Sequence, residues 1–128
     1  MPGQANGDWA TWTACRPNCH VWYDNLLDAT PPAKIPRPSG VTHQYGGSVT
    51  DDGTIYFASS GRGCGANVKI KRYSTTTLQT DPIESLPDRR DLFFPFVSQE
   101  GDGVHVYYDQ VNCGSGAWNI FEVVDDGS

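Results

Sequence analysis

The chain has 128 residues, 38% of them hydrophobic, a formal net charge of -6, and 14 glycines and nine prolines without a collagen period. This suffices for one core that buries about two-thirds of the surface, and is too short for two ordinary domains. The acidic balance opposes a phosphate backbone, so no nucleic-acid partner is expected. No apolar run approaches about 18 residues and no basic-then-apolar stretch opens the chain, so neither membrane insertion nor a signal peptide is expected.

The apolar pattern has period two rather than 3.6. Trp9 to Thr13 and His20 to Asp24 read as a short hairpin around Arg16-Pro17-Asn18. Leu26-Leu27 stands beside Pro31-Pro32, which leaves room for one helical turn at most. Ser48 to Thr50, an Asp-Gly turn at Asp52-Gly53, and Thr54 to Ser59 read as a second hairpin. Val68 to Tyr73 alternates cleanly, with Val68 and Ile70 on one face and Lys69 and Lys71 on the other. Ile83 to Leu86 reads as a short strand, and Leu92 to Val97 as an apolar piece before the next unit. Val104 to Tyr108 follows a second Asp-Gly turn at Asp102-Gly103, and Trp118 to Val124 is the last strand.

These pieces recur at intervals of about 50 residues. Asp52-Gly53 returns as Asp102-Gly103, and Cys15, Cys64 and Cys113 stand at matching positions. Such a period, with four strands per unit, is expected of propeller blades. The expected fold is therefore all-β, with antiparallel four-stranded repeated units. The approximate units are 7–45, 46–92 and 93–128 of a single all-β domain or propeller fragment. A small β-sandwich is the alternative. Two and a half blades cannot close a ring, so uncovered blade faces are expected.

The stretch Ser48 to Ser59, followed by Asn67 to Tyr73, resembles a repeat of the TolB-type, WD40-like β-propellers. Asp52, Gly53, Ile55, Tyr56, Phe57 and Ser59 carry the resemblance, and Asp102, Gly103, Val104, Val106 and Tyr107 repeat it less fully. The second half departs from the family pattern, because Arg72-Tyr73 follows an alternating Lys-Ile-Lys run. The resemblance implies an extracytoplasmic, mostly non-catalytic docking module.

The four cysteines Cys15, Cys19, Cys64 and Cys113 are expected in structural disulfides. Cys15 pairs with Cys19 across the turn, or with Cys64 or Cys113; Cys64 and Cys113 form a further possible pair. Zinc held by Cys15, Cys19 and His20 is a minor alternative, because the spacing is not that of a zinc motif. No metal or other cofactor is expected. The cysteine-bearing, lysine-poor composition points to an extracellular or periplasmic compartment.

The catalytic inventory is thin. His105 alternates with Val104 and Val106 and so lies on the opposite face, and Asp109 and Glu122 form a candidate carboxylate pair across a hairpin. Aromatic residues carry more information. Trp9, Trp12, Trp22 and Tyr23 crowd the first hairpin, and Tyr107, Tyr108 and Trp118 the last; these seven are the candidate ligand-binding residues. Trp9 shares a face with Thr11 and Thr13, while Trp12 shares one with Ala10. Lys69, Lys71, Arg72, Arg89 and Arg90 form a modest basic group. The expected function is non-enzymatic: a propeller-like binding or assembly module whose partner is a protein or a second copy. Lectin-like glycan binding and a small secreted hydrolase using Asp109, Glu122 or His105 are the alternatives.

Overall fold

The computed structural model describes residues 3–60, 65, 67–86 and 91–128. Among the described residues, eleven strands form three antiparallel sheets, each built from strands consecutive in the chain. The first sheet contains β1 (Gln4–Asn6), β2 (Trp9–Cys15), β3 (Cys19–Asn25) and β4 (Ala33–Lys34) in that order. The second contains β5 (His43–Val49), β6 (Thr54–Ser60), β7 (Lys69–Ser74) and β8 (Gln79–Pro82). The third contains β9 (Leu92–Glu100), β10 (Gly103–Asn112) and β11 (Ala117–Asp125).

The all-β, antiparallel part of the sequence reading matches this arrangement. The propeller reading does not. Among the described residues the sheets are open, none is curled or closed, and they contain four, four and three strands rather than a repeated four. A 50-residue spacing of turns therefore produced consecutive hairpins without a propeller. Ile83 to Leu86 is not a strand: the Leu86 amide donates to the Ile83 carbonyl at 3.1 Å, closing a turn, and the edge strand lies earlier, at β8. Pro82 ends that strand because it has no N–H to offer a further ladder bond.

Strand β6 shows how the sheets combine. Its alternation puts Ile55 and Phe57 on one face and Tyr56 on the other, and all three are buried. Ile55 and Phe57 join Val21, Ile35, Val49 and Tyr73 in a core between the first and second sheets, with Trp9 and Tyr23 packed against it. Tyr56 joins Ile70, Ile83, Leu92, Val106 and Tyr108 in a second core between the second and third sheets. The second sheet is thus covered on both faces. Each outer sheet is covered on one.

Buried polar groups tie the layers together. The Gln44 side chain is 1% exposed; its oxygen accepts the Val21 N–H at 3.1 Å, and its amide donates to the carbonyls of Ile35 (3.1 Å) and Pro36 (3.2 Å). A buried amide satisfied on both ends costs little, whereas an unpaired one would cost about 1–3 kcal/mol. Gly47 lets β5 approach the first sheet: a Cβ there would lie 2.6 Å from Thr11 Oγ1 and 3.2 Å from Val21 Cγ1. Between the second and third sheets, the Tyr56 hydroxyl donates to Asp125 Oδ2 at 2.7 Å. Arg72 pairs with the same carboxylate and donates to the Gly127 carbonyl at 2.9 Å. Burial first, then the bond to Asp125, pushes the Tyr56 hydroxyl upward in pKa, so it stays a donor at all ordinary pH.

Cys15 and Cys19 are joined in a disulfide across the first hairpin, whose turn contains a cis Arg16-Pro17 peptide. The zinc alternative fails on this ground, since a disulfide offers no thiolate. Cys113 is also disulfide-bonded, while Cys64, Arg89 and Arg90 lie outside the described residues. An oxidised hairpin is consistent with an oxidising, extracytoplasmic compartment.

Candidate functional site: the outer face of the third sheet

The register of the third sheet determines what its uncovered face carries. Val97, Val106 and Val123 align across β9, β10 and β11 and point into the core, as does Tyr108, on which the partly exposed Phe121 stacks at 6.0 Å. The intervening rows point outward. Ser98, His105 and Val124 form one row, Phe96, Tyr107 and Glu122 the next, and Asp109 and Ile120 follow, with Trp118 beyond. A bulge changes the pairing between Tyr107 and Asp109, so that two residues of β9, Phe94 and Pro95, stand between Phe96 and Phe93. Phe94 takes a positive φ of 51° there and turns outward, stacking on Trp118 at 6.5 Å between ring centroids. Phe93 joins them and reaches Tyr45 of the second sheet at 6.0 Å.

The result is a face rich in exposed apolar side chains, with Tyr107 and Asp109 of the central strand among them. Phe94 is 46% exposed, Phe96 56%, Trp118 55% and Ile120 76%. Polar groups edge it. His105 Nε2 lies 2.7 Å from Asp102 Oδ1, and Nδ1 lies 3.4 Å from Glu122 Oε2. The bond to Asp102 is the main cause, with Glu122 adding to it, of a His105 pKa raised above its ordinary value. The bond to His105 lowers Asp102, and the bond with the Tyr107 hydroxyl first, then that with His105, lowers Glu122. The two carboxylates favour the protonated form of the imidazole. His105 thus links the two acids across this face.

The uncovered face of the first sheet differs. Trp12 and Trp22 stack there at 6.4 Å with an interplanar angle of 7°, and Lys34 Nζ lies 5.0 Å from the Trp22 ring centre. A shallow depression of about 300 Å³ adjoins them, lined by Arg16, Asn18, His20 and Lys34. Burial, with Arg37 and Lys34 nearby, lowers the His20 pKa. A cleft of about 380 Å³ between the second and third sheets holds Asp52, Asp81, Asp126 and the Arg72–Asp125 pair. Among the described residues, no cluster of His, Cys, Asp and Glu is placed to hold a metal ion.

The seven aromatics singled out from the sequence are thus dispersed. Trp9 and Tyr23 pack on the first core, and Tyr108 lies within the second. Trp12 and Trp22 occupy one outer face, Tyr107 and Trp118 the other. The glycan-binding expectation does not hold on this topology, because the aromatics converge on no single groove. The sequence reading passed over Phe94, Phe96 and Ile120. Alternation from Trp118 through Ile120 to Glu122 already places Ile120 beside the tryptophan, whereas the bulge that turns Phe94 out has no comparable signal.

The fold and this face define a small, disulfide-bonded all-β domain of three open sheets. Compared with family models, curated proteins and solved structures, the chain has no match. The TolB-type propeller resemblance is accordingly withdrawn, and with it the propeller-like module as the functional reading. An Asp-Gly hairpin leading into an aromatic strand arises in many β folds.

No helix among the described residues is long and apolar enough to cross a membrane.

Proposed function

We propose that the chain works through protein contact, with the outer face of the third sheet as the docking surface. One observation supports this above the others: Phe94, Phe96, Trp118 and Ile120 share one face and together leave roughly 450 Å² of side chain in water, taking about 200 Å² for each fully exposed side chain. An apolar patch of that size rimmed by charge is characteristic of an interaction site. A stable interface buries about 800 Å² per partner. The apolar group supplies roughly half, with Tyr107 and Asp109 of the central strand standing among its members and Glu122, His105 and Asp102 at its border. The working compartment on this reading is extracellular or periplasmic, supported by the Cys15–Cys19 disulfide.

The test places a benzophenone side chain at Phe96 and, as control, at Leu78, an exposed apolar residue outside the face. Irradiation under native conditions should give polypeptide adducts from position 96 and none above background from position 78. Absence of adducts at 96, or adducts to carbohydrate alone, would refute protein contact.

A further inference from the structure

The two uncovered faces lie at opposite ends of the row of sheets, and their charges are opposite. The outer face of the first sheet carries Arg16 and Lys34 around the stacked Trp12–Trp22 pair, with Asp24 one row beyond. The outer face of the third sheet carries Asp102 and Glu122 beside Phe96, Trp118 and Ile120, with Asp109 among these and His105 between Asp102 and Glu122. Each face has an aromatic centre and a charged rim, and neither is complementary to itself. Two copies of the basic face would bring like charges together, as would two copies of the acidic face. A basic face against an acidic one opposes unlike charges over two apolar centres.

We infer that the occupant of the third sheet's outer face is a second copy of this chain, docked head to tail through the outer face of its first sheet. This rests on the protein-contact reading and names its partner. A head-to-tail contact leaves one unused face of each kind at the ends of every complex. It therefore adds copies until a ring closes or a filament forms, and it does not stop at a symmetric dimer. Because the rims are charged and solvent-exposed, association should weaken with salt as the screening length falls to about 10 Å at 0.1 M and below.

Two variants of the full chain test the geometry. R16E/K34E disables the basic face, and F96K/I120K disables the acidic one; neither touches a core residue, and near-ultraviolet circular dichroism checks that each stays folded. Wild type should show mass in solution that grows with concentration between about 10 and 500 µM. Each variant alone should be monomeric, with association weakened at least tenfold. An equimolar mixture retains one intact face of each kind and should form a one-to-one dimer that grows no further. Monomeric wild type across that range, a variant that still dimerises alone, or a mixture that stays monomeric would each overturn the head-to-tail contact. If position 96 still gives adducts, now to a different polypeptide, protein contact stands while the second copy falls.

Discussion

Removing the Asp125 carboxylate should be among the most damaging single changes to this fold. Its side chain is 2% exposed; it accepts from the Tyr56 hydroxyl, pairs with Arg72 and accepts the Gly127 N–H at 3.0 Å. In Asp125→Ala a buried phenol loses its acceptor and a guanidinium loses its counter-charge. Breaking a buried ion pair from one side costs about 3–5 kcal/mol. The Arg72 side chain is 16% exposed and so regains some water, which places the expected loss at the lower end, about 3 kcal/mol. Tyr56→Phe removes one bond to a charged group and leaves the carboxylate its other partners, so about 1.5 kcal/mol is expected. The double variant should cost little more than Asp125→Ala alone, because the acceptor is already gone. Urea unfolding reads these changes: with m of about 1.5–2 kcal/mol/M, Asp125→Ala should lower the midpoint by about 1.5–2 M. A loss below about 1 kcal/mol, or additive losses in the double variant, would refute the view that this carboxylate joins the second and third sheets.

Three further outcomes follow from particular contacts. Gly47→Ala should destabilise by about 1–3 kcal/mol in the same assay, since its methyl would meet the Thr11 hydroxyl at 2.6 Å; an unchanged midpoint would mean that β5 and the first sheet are not in close contact. Replacing Cys15 and Cys19 together by Ala should cost about 2 kcal/mol at most, the chain-entropy value for a bridge separated by four residues, and a loss above about 4 kcal/mol would show a role beyond local closure. In an NMR titration His105 should titrate above about 6.5 and His20 below it, and Glu122→Gln should bring His105 down. The sign for stability follows from linkage. The contribution of His105 is complete below its unfolded value and is lost as pH rises through its raised folded value; those of Asp102 and Glu122 are complete above their unfolded values and are lost as pH falls through their lowered folded ones. The cluster therefore stabilises between these limits, and a His105 pKa below 6.5 would remove the basis for it.

Much of the local structure is legible in the residues. Period-two alternation separates Val104 and Val106 from His105, and Thr11 and Thr13 from Trp12, because successive side chains of a strand point to opposite faces whatever packs on them. The Asp-Gly turns and the Pro-Asn turn locate hairpins for a similarly local reason, the backbone conformations those residues favour. How many sheets form, which faces become cores and which stay in water depends on contacts between residues far apart in the chain. Gln44 meeting Val21, Ser48 meeting Val97 and Tyr56 meeting Asp125 leave no periodic trace. The same 50-residue spacing is compatible with blades of a closed ring or with open sheets in a row, since hairpin spacing constrains neighbours in sequence and says nothing of closure. Tertiary packing alone decided that Trp9, Tyr23 and Tyr108 are covered and that Phe94, Phe96, Trp118 and Ile120 are not. Alternation assigns a side chain to a face; only the sheet stacked upon that face removes it from water.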